Sequence, residues 1–360
     1  MMRLRRHALF VLKTWLVFRA ALIVVMYFAR GEFPQNFRIL GKGFLHSFTS
    51  WDGEHYHQIV KNGYNHAPLS NVAFFPSYPL GVRWLTALIP DDFLAGVVLS
   101  NVLFVVALFF LYGWVLDALG EQAAQRAIRY AMVMPGTHFF SCYYTESMFL
   151  LAVVGAFYAY QTRKPWLYVP FGFLAGCTRS PGMLLLGATL LGELVRFVRN
   201  PEERKRILLW SPAWLSPAAG LGSYMFFLHR EFGEPLAFSK AMAHWGRRFD
   251  TPWGSIQQEF LHPLEAYRQL EAYAAMVLLV LAVYALWKLP IAYGSFFALS
   301  TLMATSTHMT ASVIRYNVGT GVIFLLCASF GKRVERTLVP LLAMFAAFSA
   351  ACYAAGYWSG

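Results

Sequence analysis

Long runs of apolar residues recur along the whole chain, and they constrain its fold more than any other feature. Residues 93–116, for example, contain no charged side chain. A run of this length is what a helix needs to cross the hydrocarbon core of a bilayer. Because hydrophobic residues make up 58% of the chain and charged residues 13%, a water-soluble fold would expose large apolar surfaces. The sequence therefore predicts an integral membrane protein.

The apolar runs predict an all-α, polytopic transmembrane helical bundle with about 11 spanning helices. We expect one integral membrane domain over residues 1–360, short juxtamembrane helices in its first outer loop, and a retained first helix rather than a cleaved signal peptide. Several runs are short for a straight span, which favours half-length or tilted helices that meet around polar turns. The predicted spans cover residues 8–29, 93–116, 127–141, 146–161, 166–178, 181–198, 207–228, 272–288, 290–306, 317–331 and 337–358.

Basic residues predict the orientation, since cytoplasmic loops accumulate Lys and Arg. With the N-terminus in the cytoplasm, the main basic clusters all fall on the inner side: Arg3, Arg5 and Arg6; Arg163 and Lys164; residues 196–206; and Lys332, Arg333 and Arg336. Two long outer loops, residues 30–92 and 229–271, then carry most of the Asp, Glu and His side chains. We therefore expect any chemistry at the extracytoplasmic (periplasmic or lumenal) face.

The composition argues against two other classes of protein. The net charge of +12 comes with no basic run with interleaved aromatic residues outside the apolar segments, and short basic clusters between spans usually indicate orientation, so no nucleic-acid partner is expected. The four cysteines show no spacing typical of a zinc site and are predicted to be core residues. A disulfide between Cys142 and Cys177 is left open, since both would lie near the outer face.

The first outer loop contains Trp51-Asp52-Gly53-Glu54-His55-Tyr56-His57. If a helix begins here, Asp52, His55 and Tyr56 share one face by their spacing. A carboxylate, an imidazole and a phenol would then converge, as general acid–base chemistry requires. The alternative for Asp52 is a helix N-cap, and capping is the favoured interpretation of Asp91-Asp92 before the next apolar run.

Six short motifs occur in an order that resembles the PIG-V-type mannosyltransferases, members of the GT-C class of polyprenyl-phosphate-sugar-dependent glycosyltransferases. The resemblance covers about residues 10–330, and the chain departs from it at Met242, at Pro181 and after Tyr316, where no proline follows. The matching motifs are Trp51-Asp52 with His55-Tyr56, Phe74 to Pro79, Tyr144-Thr145-Glu146-Ser147, Thr178-Arg179-Ser180 with Gly182, Trp245-Gly246-Arg247, and Arg315-Tyr316.

The resemblance implies an inverting transfer of a mannose-like sugar from a polyprenyl-phosphate donor to a hydroxyl of a lipid or protein-linked acceptor. Asp52 would be the catalytic base, and Arg179, Arg315 and Arg247 would bind the donor phosphate. No metal or other cofactor is expected, and the enzyme would act as a monomer. The substrate-binding residues would be Glu54, His55, Tyr56, Tyr78, Glu146, Trp245 and Tyr316.

Each of these side chains also has an ordinary structural interpretation. The arginines could contact lipid headgroups, Glu146 could favour the start of a helix, and Trp245 could belong to the aromatic belt of a membrane interface. At the level of the whole chain, the alternative is a transporter or flippase for a lipid-linked or small polar substrate, in which broken helices bind the solute.

Overall fold

The computed structural model describes residues 2–32, 43–66, 70–261 and 266–359. Residues 33–42, 67–69 and 262–265, which belong to the two predicted outer loops, lie outside the described part of the chain. All regular elements within the described ranges are helices, which agrees with the predicted all-α class.

Eight helices make up the first half of the chain, and several begin at recognisable signals. The Asp91 carboxylate accepts the Leu94 backbone N–H at 3.0 Å, which satisfies one of the free donors at a helix start. These helices are α1 (Met2–Glu32), α2 (Asp52–Asn62), α3 (Ser77–Leu85), α4 (Asp92–Leu119), α5 (Glu121–Val133), α6 (Glu146–Gln161), α7 (Pro165–Thr178) and α8 (Leu184–Arg199).

The second half of the described chain adds nine helices. Prolines open or interrupt several of them because proline lacks the N–H that continues a helix. They are α9 (Arg204–Trp210), α10 (Ser216–Phe232), α11 (Ala237–Ala241), α12 (Pro252–Leu261), α13 (Ala266–Lys288), α14 (Ile291–Thr305), α15 (Val313–Gly319), α16 (Val322–Ala328) and α17 (Lys332–Ala354).

Five helical segments among the described residues are long and apolar enough to cross a membrane. The predicted count of eleven spans is not confirmed, although each predicted span contains helix. The chain is an integral, multi-pass membrane protein. The five segments are Arg5–Gly31, Asp92–Leu119, Ser180–Arg199, Arg268–Lys288 and Lys332–Ala354.

Three of the predicted spans are interrupted rather than continuous helices. In 127–141 the helix ends at Val133, because Pro135 and a left-handed Gly136 (φ 86°) interrupt it. The span 207–228 is divided between α9 and α10, with a 3₁₀ turn between them, and 317–331 is divided between α15 and α16. These are the half-length helices that the short runs indicate.

Backbone contacts divide the chain into two compact units. Unit 1 comprises residues 1–63, 78–151 and 323–360, and unit 2 comprises residues 64–77 and 152–322. The prediction of a single domain stays a prediction. In unit 1, helices α1, α4, α5 and α17 pack on one another.

In unit 2, the closest packing joins α7 to α10 through glycines. A Cβ on Gly176 would lie 2.0 Å from the Pro217 carbonyl oxygen, and one on Gly220 would lie 2.1 Å from the Phe173 carbonyl oxygen. Gly172 and Gly176 have the small-xxx-small spacing that lets membrane helices approach closely. Among the other helices, α14 packs on α8, α13 and α15.

The four cysteines are free, and three of them are buried. Cys142 and Cys177 therefore do not form the disulfide that the sequence left open, and the prediction that cysteines are packing residues is the better description.

Candidate functional site

The first group of predicted residues lies on α2 in unit 1, directly after a strained turn. Trp51 precedes the helix with φ 61° and ψ −120°, a backbone conformation that a bulky residue adopts at a cost of about 1–3 kcal/mol. Trp51 occupies the N-cap position without a side-chain cap, and Asp52 is the first helical residue. The N-cap interpretation of Asp52 is therefore wrong, and its carboxylate lies in the first helical turn.

Asp52 and His55 lie close enough on α2 to interact electrostatically. Burial lowers the pKa of His55 below its ordinary value of 6.5, and the Asp52 carboxylate opposes that shift. At neutral pH His55 is therefore a neutral imidazole that can accept or donate one hydrogen bond. Both side chains, like Glu54 in the same turn, are half-buried.

Tyr56 attaches α2 to the start of α6. Its hydroxyl lies 3.2 Å from the Thr145 hydroxyl, and its ring is 5.7 Å from the Tyr78 ring and 6.3 Å from the Tyr144 ring. Tyr78 is fully buried and donates a hydrogen bond to the Gly96 carbonyl at 2.9 Å. Two of the predicted substrate residues, Tyr56 and Tyr78, thus lie together within the packed interior of unit 1.

The turn before Asp52 is held by residues that are distant in sequence. The Ser50 carbonyl accepts hydrogen bonds from the Tyr144 hydroxyl at 2.8 Å and from the Tyr353 hydroxyl at 3.2 Å. The Trp51 ring makes an edge contact with Trp358, with 5.3 Å between centroids. These contacts fix the strained backbone that aims the first turn of α2.

Glu146 is the predicted acid nearest to this network in sequence, since it follows Thr145. It is 2% exposed and opens α6, where a carboxylate is stabilised by the helix macrodipole. The position fits the structural interpretation and leaves the proposed contact with substrate as a prediction.

Sequence reasoning missed the role of Asp92. Asp91 caps α4 as predicted, but Asp92 Oδ2 lies 2.6 Å from His57 Nε2 and 3.3 Å from Lys61 Nζ. Asp92 therefore joins the start of α4 to the helix that carries Asp52. The i, i+4 spacing of His57 and Lys61 puts both side chains on one face of α2. This basic face was the feature of the sequence that could have indicated a nearby acidic partner.

The second group of predicted residues converges on one aromatic ring in unit 2. The guanidinium carbons of Arg179, Arg247 and Arg315 lie 4.7, 5.3 and 5.2 Å from the centroid of the Tyr316 ring. Four residues from three separate motifs therefore meet. Arg315 is 4% exposed, and the other three side chains are half-buried.

Arg247 is held rigidly by two hydrogen bonds. Its guanidinium donates to the Thr307 hydroxyl at 2.9 Å and to the Ala311 carbonyl at 2.8 Å. Gly246 precedes it with φ 69°, a conformation that glycine adopts without steric cost. The glycine turn directs Arg247 towards the segment before Tyr316.

Arg179 sits at a sharp turn between α7 and α8. Its backbone is extended, its carbonyl accepts the Gly182 N–H at 2.9 Å, and a Cβ on Gly182 would lie 2.0 Å from the Ala175 carbonyl oxygen. The turn thus needs glycine at position 182, and it places Arg179 directly after the tightly packed α7.

Trp245 contacts the Phe-Phe-Pro motif. Its ring makes an edge contact with Phe74 at 5.6 Å between centroids, while Phe75 packs against Tyr224 at 4.8 Å. Two motifs that are far apart in sequence thus lie side by side, with Trp245 half-buried.

A polar network beside the arginine group was not predicted. His308 Nδ1 lies 2.8 Å from Asp250 Oδ2, and His308 Nε2 lies 2.8 Å from an Arg248 nitrogen. The hydrogen bond with His308 lowers the pKa of the half-buried Asp250 carboxyl. The network joins residues 248–250 to the turn after α14, and a single sequence gives no signal for such a pairing.

Within the described ranges, no group of three or more His, Cys, Asp or Glu side chains could hold a metal ion. The predicted site residues lie in two sets. The carboxylate group is Asp52 and Glu54 on α2, and the guanidinium group is Arg179, Arg247 and Arg315 around Tyr316.

Comparison with known proteins relates the part of the chain that contains Asp52 and Arg179 to one family. The family model described as "Mannosyltransferase (PIG-V)" matches residues 9–209, which is more than half of the chain. GPI alpha-1,6-mannosyltransferase 2 of Mus musculus is 30% identical over 164 residues, covering 42% of this chain and 32% of the mouse protein. The Cricetulus griseus protein of the same name is 29% identical over 163 residues, covering 42% and 32%. The matched region is thus about a third of these relatives.

Among solved structures, the oligosaccharyltransferase of Archaeoglobus fulgidus tethered to an acceptor peptide is similar to this chain with a TM-score of 0.50. The similarity covers 96% of this chain and 55% of that protein at 12% identity. It shows the fold alone, and it confirms the predicted GT-C type of helical bundle.

Proposed function

Because the chain belongs to the PIG-V mannosyltransferase family, we propose that it transfers mannose from a polyprenyl-phosphate donor to a hydroxyl group of a lipid or protein-linked acceptor. The observation that carries the proposal is the convergence of Arg179, Arg247 and Arg315 on Tyr316. This arrangement suits an anion, and the leaving group of such a donor is a lipid phosphate.

All three guanidinium carbons lie within 5.3 Å of one ring centroid, so any two are less than about 11 Å apart. A phosphate bound among them would lie within about the same distance of each cation. At an effective dielectric constant of about 20, each cation would then attract a phosphate charge by about 1.5 kcal/mol or more. Guanidinium groups also match phosphate geometry with two parallel hydrogen bonds.

In the proposed reaction, Asp52 accepts the proton of the acceptor hydroxyl while the oxygen of that hydroxyl attacks the anomeric carbon of mannose. The bond between that carbon and the phosphate oxygen breaks, and the electron pair leaves with the polyprenyl phosphate. One displacement of this kind inverts the anomeric centre. The attacking hydroxyl becomes acidic as the bond breaks, so a half-buried carboxylate is a sufficient base.

The neighbours of Asp52 support this role. A neutral His55 three residues further along α2 can donate a hydrogen bond to the Asp52 carboxylate or to a substrate hydroxyl. The strained Trp51 backbone is the kind of local cost that functional sites retain. Glu54, Tyr56, Glu146 and Trp245 remain proposed substrate contacts, with Tyr78 supporting Tyr56.

The orientation of the chain is also part of the proposal. We place the N-terminus in the cytoplasm and the reaction on the extracytoplasmic face, because the basic clusters then follow the positive-inside rule. Labelling of single cysteines introduced near Asp52 and near Lys332 with a membrane-impermeant maleimide tests this. Reaction of the first and not the second in sealed cells is expected, and the reverse pattern would overturn the orientation.

The activity is tested with the purified protein in lipid nanodiscs and extracted lipid acceptor. We expect radiolabelled mannose to move from polyprenyl-phosphate mannose but not from a nucleotide-diphosphate mannose, and Asp52→Asn to slow the transfer by about 10²- to 10⁴-fold. Asp91→Asn is the matched control, since asparagine also caps a helix. Transfer at the wild-type rate in Asp52→Asn would remove Asp52 from the mechanism, and transfer from the nucleotide donor would overturn the lipid donor.

A further inference from the structure

The segment between α14 and α15 has an unusual backbone. His308 and Ser312 both adopt positive φ, at 64° and 71°, although neither is glycine. Such conformations persist only where the surrounding structure holds them in place. Residues 306–314, which we call the hinge segment, lead directly into Arg315 and Tyr316.

Two buried carboxylates hold the hinge segment by its backbone. Glu259 Oε1 accepts the Thr310 N–H at 3.0 Å, and Glu271 Oε2 accepts the Ile314 N–H at 3.2 Å. Glu259 is 1% exposed and Glu271 is 0% exposed. Glu259 comes from α12 and Glu271 from α13, so the two bonds tie separate helices to one short stretch of chain.

A buried carboxylate that is charged needs a compensating partner, because taking an isolated charge out of water is costly. Glu259 is compensated by Arg268, whose Nε lies 2.8 Å from Oε2. A hydrogen bond to an ionised acceptor is roughly twice as strong as a neutral one. The ion-paired Glu259 therefore holds the Thr310 amide more firmly than a neutral side chain would, and Glu271 holds the Ile314 amide by a second buried hydrogen bond.

We propose that Glu271, with Glu259, is a positioning residue that sets the backbone from which Arg315 and Tyr316 reach the donor phosphate. The proposal rests on the function proposed above. Ile314 immediately precedes Arg315, so a shift of its amide moves the guanidinium and the ring around which the three arginines gather. Neither glutamate is given a contact with substrate.

The first test measures local order without reference to activity. Hydrogen exchange of the full-length protein in nanodiscs is compared for wild type, Glu271→Ala and Glu271→Gln. We expect the Ile314 amide to lose protection in Glu271→Ala and to keep most of it in Glu271→Gln, which retains an accepting oxygen. Unchanged protection in Glu271→Ala would overturn the proposal, whatever the protein's activity.

The second test measures phosphate binding, with a short-chain polyprenyl monophosphate without sugar as the probe. We expect Glu271→Ala to weaken binding about 10- to 100-fold, the size of effect that leaving a buried backbone donor without its acceptor has, and Glu271→Gln to recover most of the loss. Increased exchange at Ile314 with unchanged probe binding would overturn the positioning role. If the wild type itself binds no probe, the proposed function fails, while the exchange result still decides whether Glu271 orders the hinge segment.

Glu193→Ala is the matched control. Glu193 is also buried in unit 2, at 3% exposure, and pairs with Arg163 rather than with the hinge segment. It should lower thermal stability without weakening probe binding, and weakening equal to that of Glu271→Ala would overturn a local effect. Should Glu271→Ala fail to fold, Glu259→Gln replaces it: exchange should rise at Thr310 more than at Ile314, and an equal rise at both would contradict separate ties.

Discussion

The carboxylate group of unit 1 and the guanidinium group of unit 2 are built by different means. Asp52 stands on a regular helix whose position is fixed by aromatic side chains such as Tyr56 and Tyr144. Arg179 and Arg247 come instead from irregular backbone, and Arg315 follows a segment with two positive φ values. Aromatic side chains position the first site by packing and by hydrogen bonds to the single turn before Asp52, whereas the second site collects its cations from several separate turns.

The difference suits the two proposed tasks. A base accepts one proton from one direction, and a helix inside a packed aromatic cluster holds its carboxylate in a constant position. A phosphate can be contacted from several sides, and cations from separate parts of the chain can surround it. Substitutions should therefore affect the rate of chemistry in the first group and the binding of donor in the second.

The largest expected effect is the one that separates the groups. Asp52→Asn should reduce kcat by about 10²- to 10⁴-fold, the usual worth of a general base, while the donor KM stays within about threefold. Steady-state transfer at varied donor concentration measures both constants. A rise in KM with an unchanged kcat would assign Asp52 to binding and break the comparison.

Arg179→Lys should have the opposite signature. Lysine keeps the charge but loses the paired hydrogen bonds and the flat face that stacks on Tyr316, so we expect the donor KM to rise about 10-fold or more with a smaller change in kcat. Arg230→Lys, at an exposed position of α10, is the control. Equal behaviour of the two variants would remove Arg179 from the donor site.

The close packing of α7 against α10, next to Arg179, should be visible as stability. Gly176→Ala should lower the free energy of unfolding by about 1–3 kcal/mol, because the added methyl meets the backbone of α10. Gly187→Ala on α8 has open space around it and should be neutral or slightly stabilising. Thermal unfolding in detergent distinguishes them, and equal stability of the two variants would contradict close contact between α7 and α10.

The smallest expected effect is the pH dependence that His55 brings to unit 1. Since the folded pKa is lowered, the unfolded chain binds more protons, and His55 contributes stability above its ordinary pKa of 6.5 that is lost as the pH falls through the lowered value. The fall in Tm between pH 7.5 and pH 5.5 should therefore be smaller in His55→Gln than in wild type. His229→Gln, at an exposed position, should behave as wild type, and an unchanged fall in His55→Gln would show that His55 is not buried.

The sequence predicts the helical class and the grouping of the arginine motifs because both depend on patterns along the chain. Apolar run length marks helices such as α4, and six motifs in a fixed order identify the family. The ends of α5 and the division between α9 and α10 were less predictable, since proline and glycine compete there with a continuous apolar run.

Contacts between distant residues were beyond prediction. The position of Asp92 at the start of α4 predicts a helix cap, and only the folded structure shows that it contacts His57. Glu259 and Glu271 lie in segments with no motif, and what they contact is backbone, which has no sequence signature. The carboxylate on α2 could be predicted, whereas the residues that hold its surroundings could not.

The contacts of Ser50 and Trp51 have a consequence for the order of synthesis. The strained turn before Asp52 relies on Tyr353 and Trp358, which lie about 300 positions further along the chain. A ribosome releases that segment long after α2 has been synthesised, and loop closure over such a separation is slow. The Asp52 carboxylate should therefore reach its folded position only when α17 has been inserted, so a chain truncated before α17 should lack the ordered turn at Trp51.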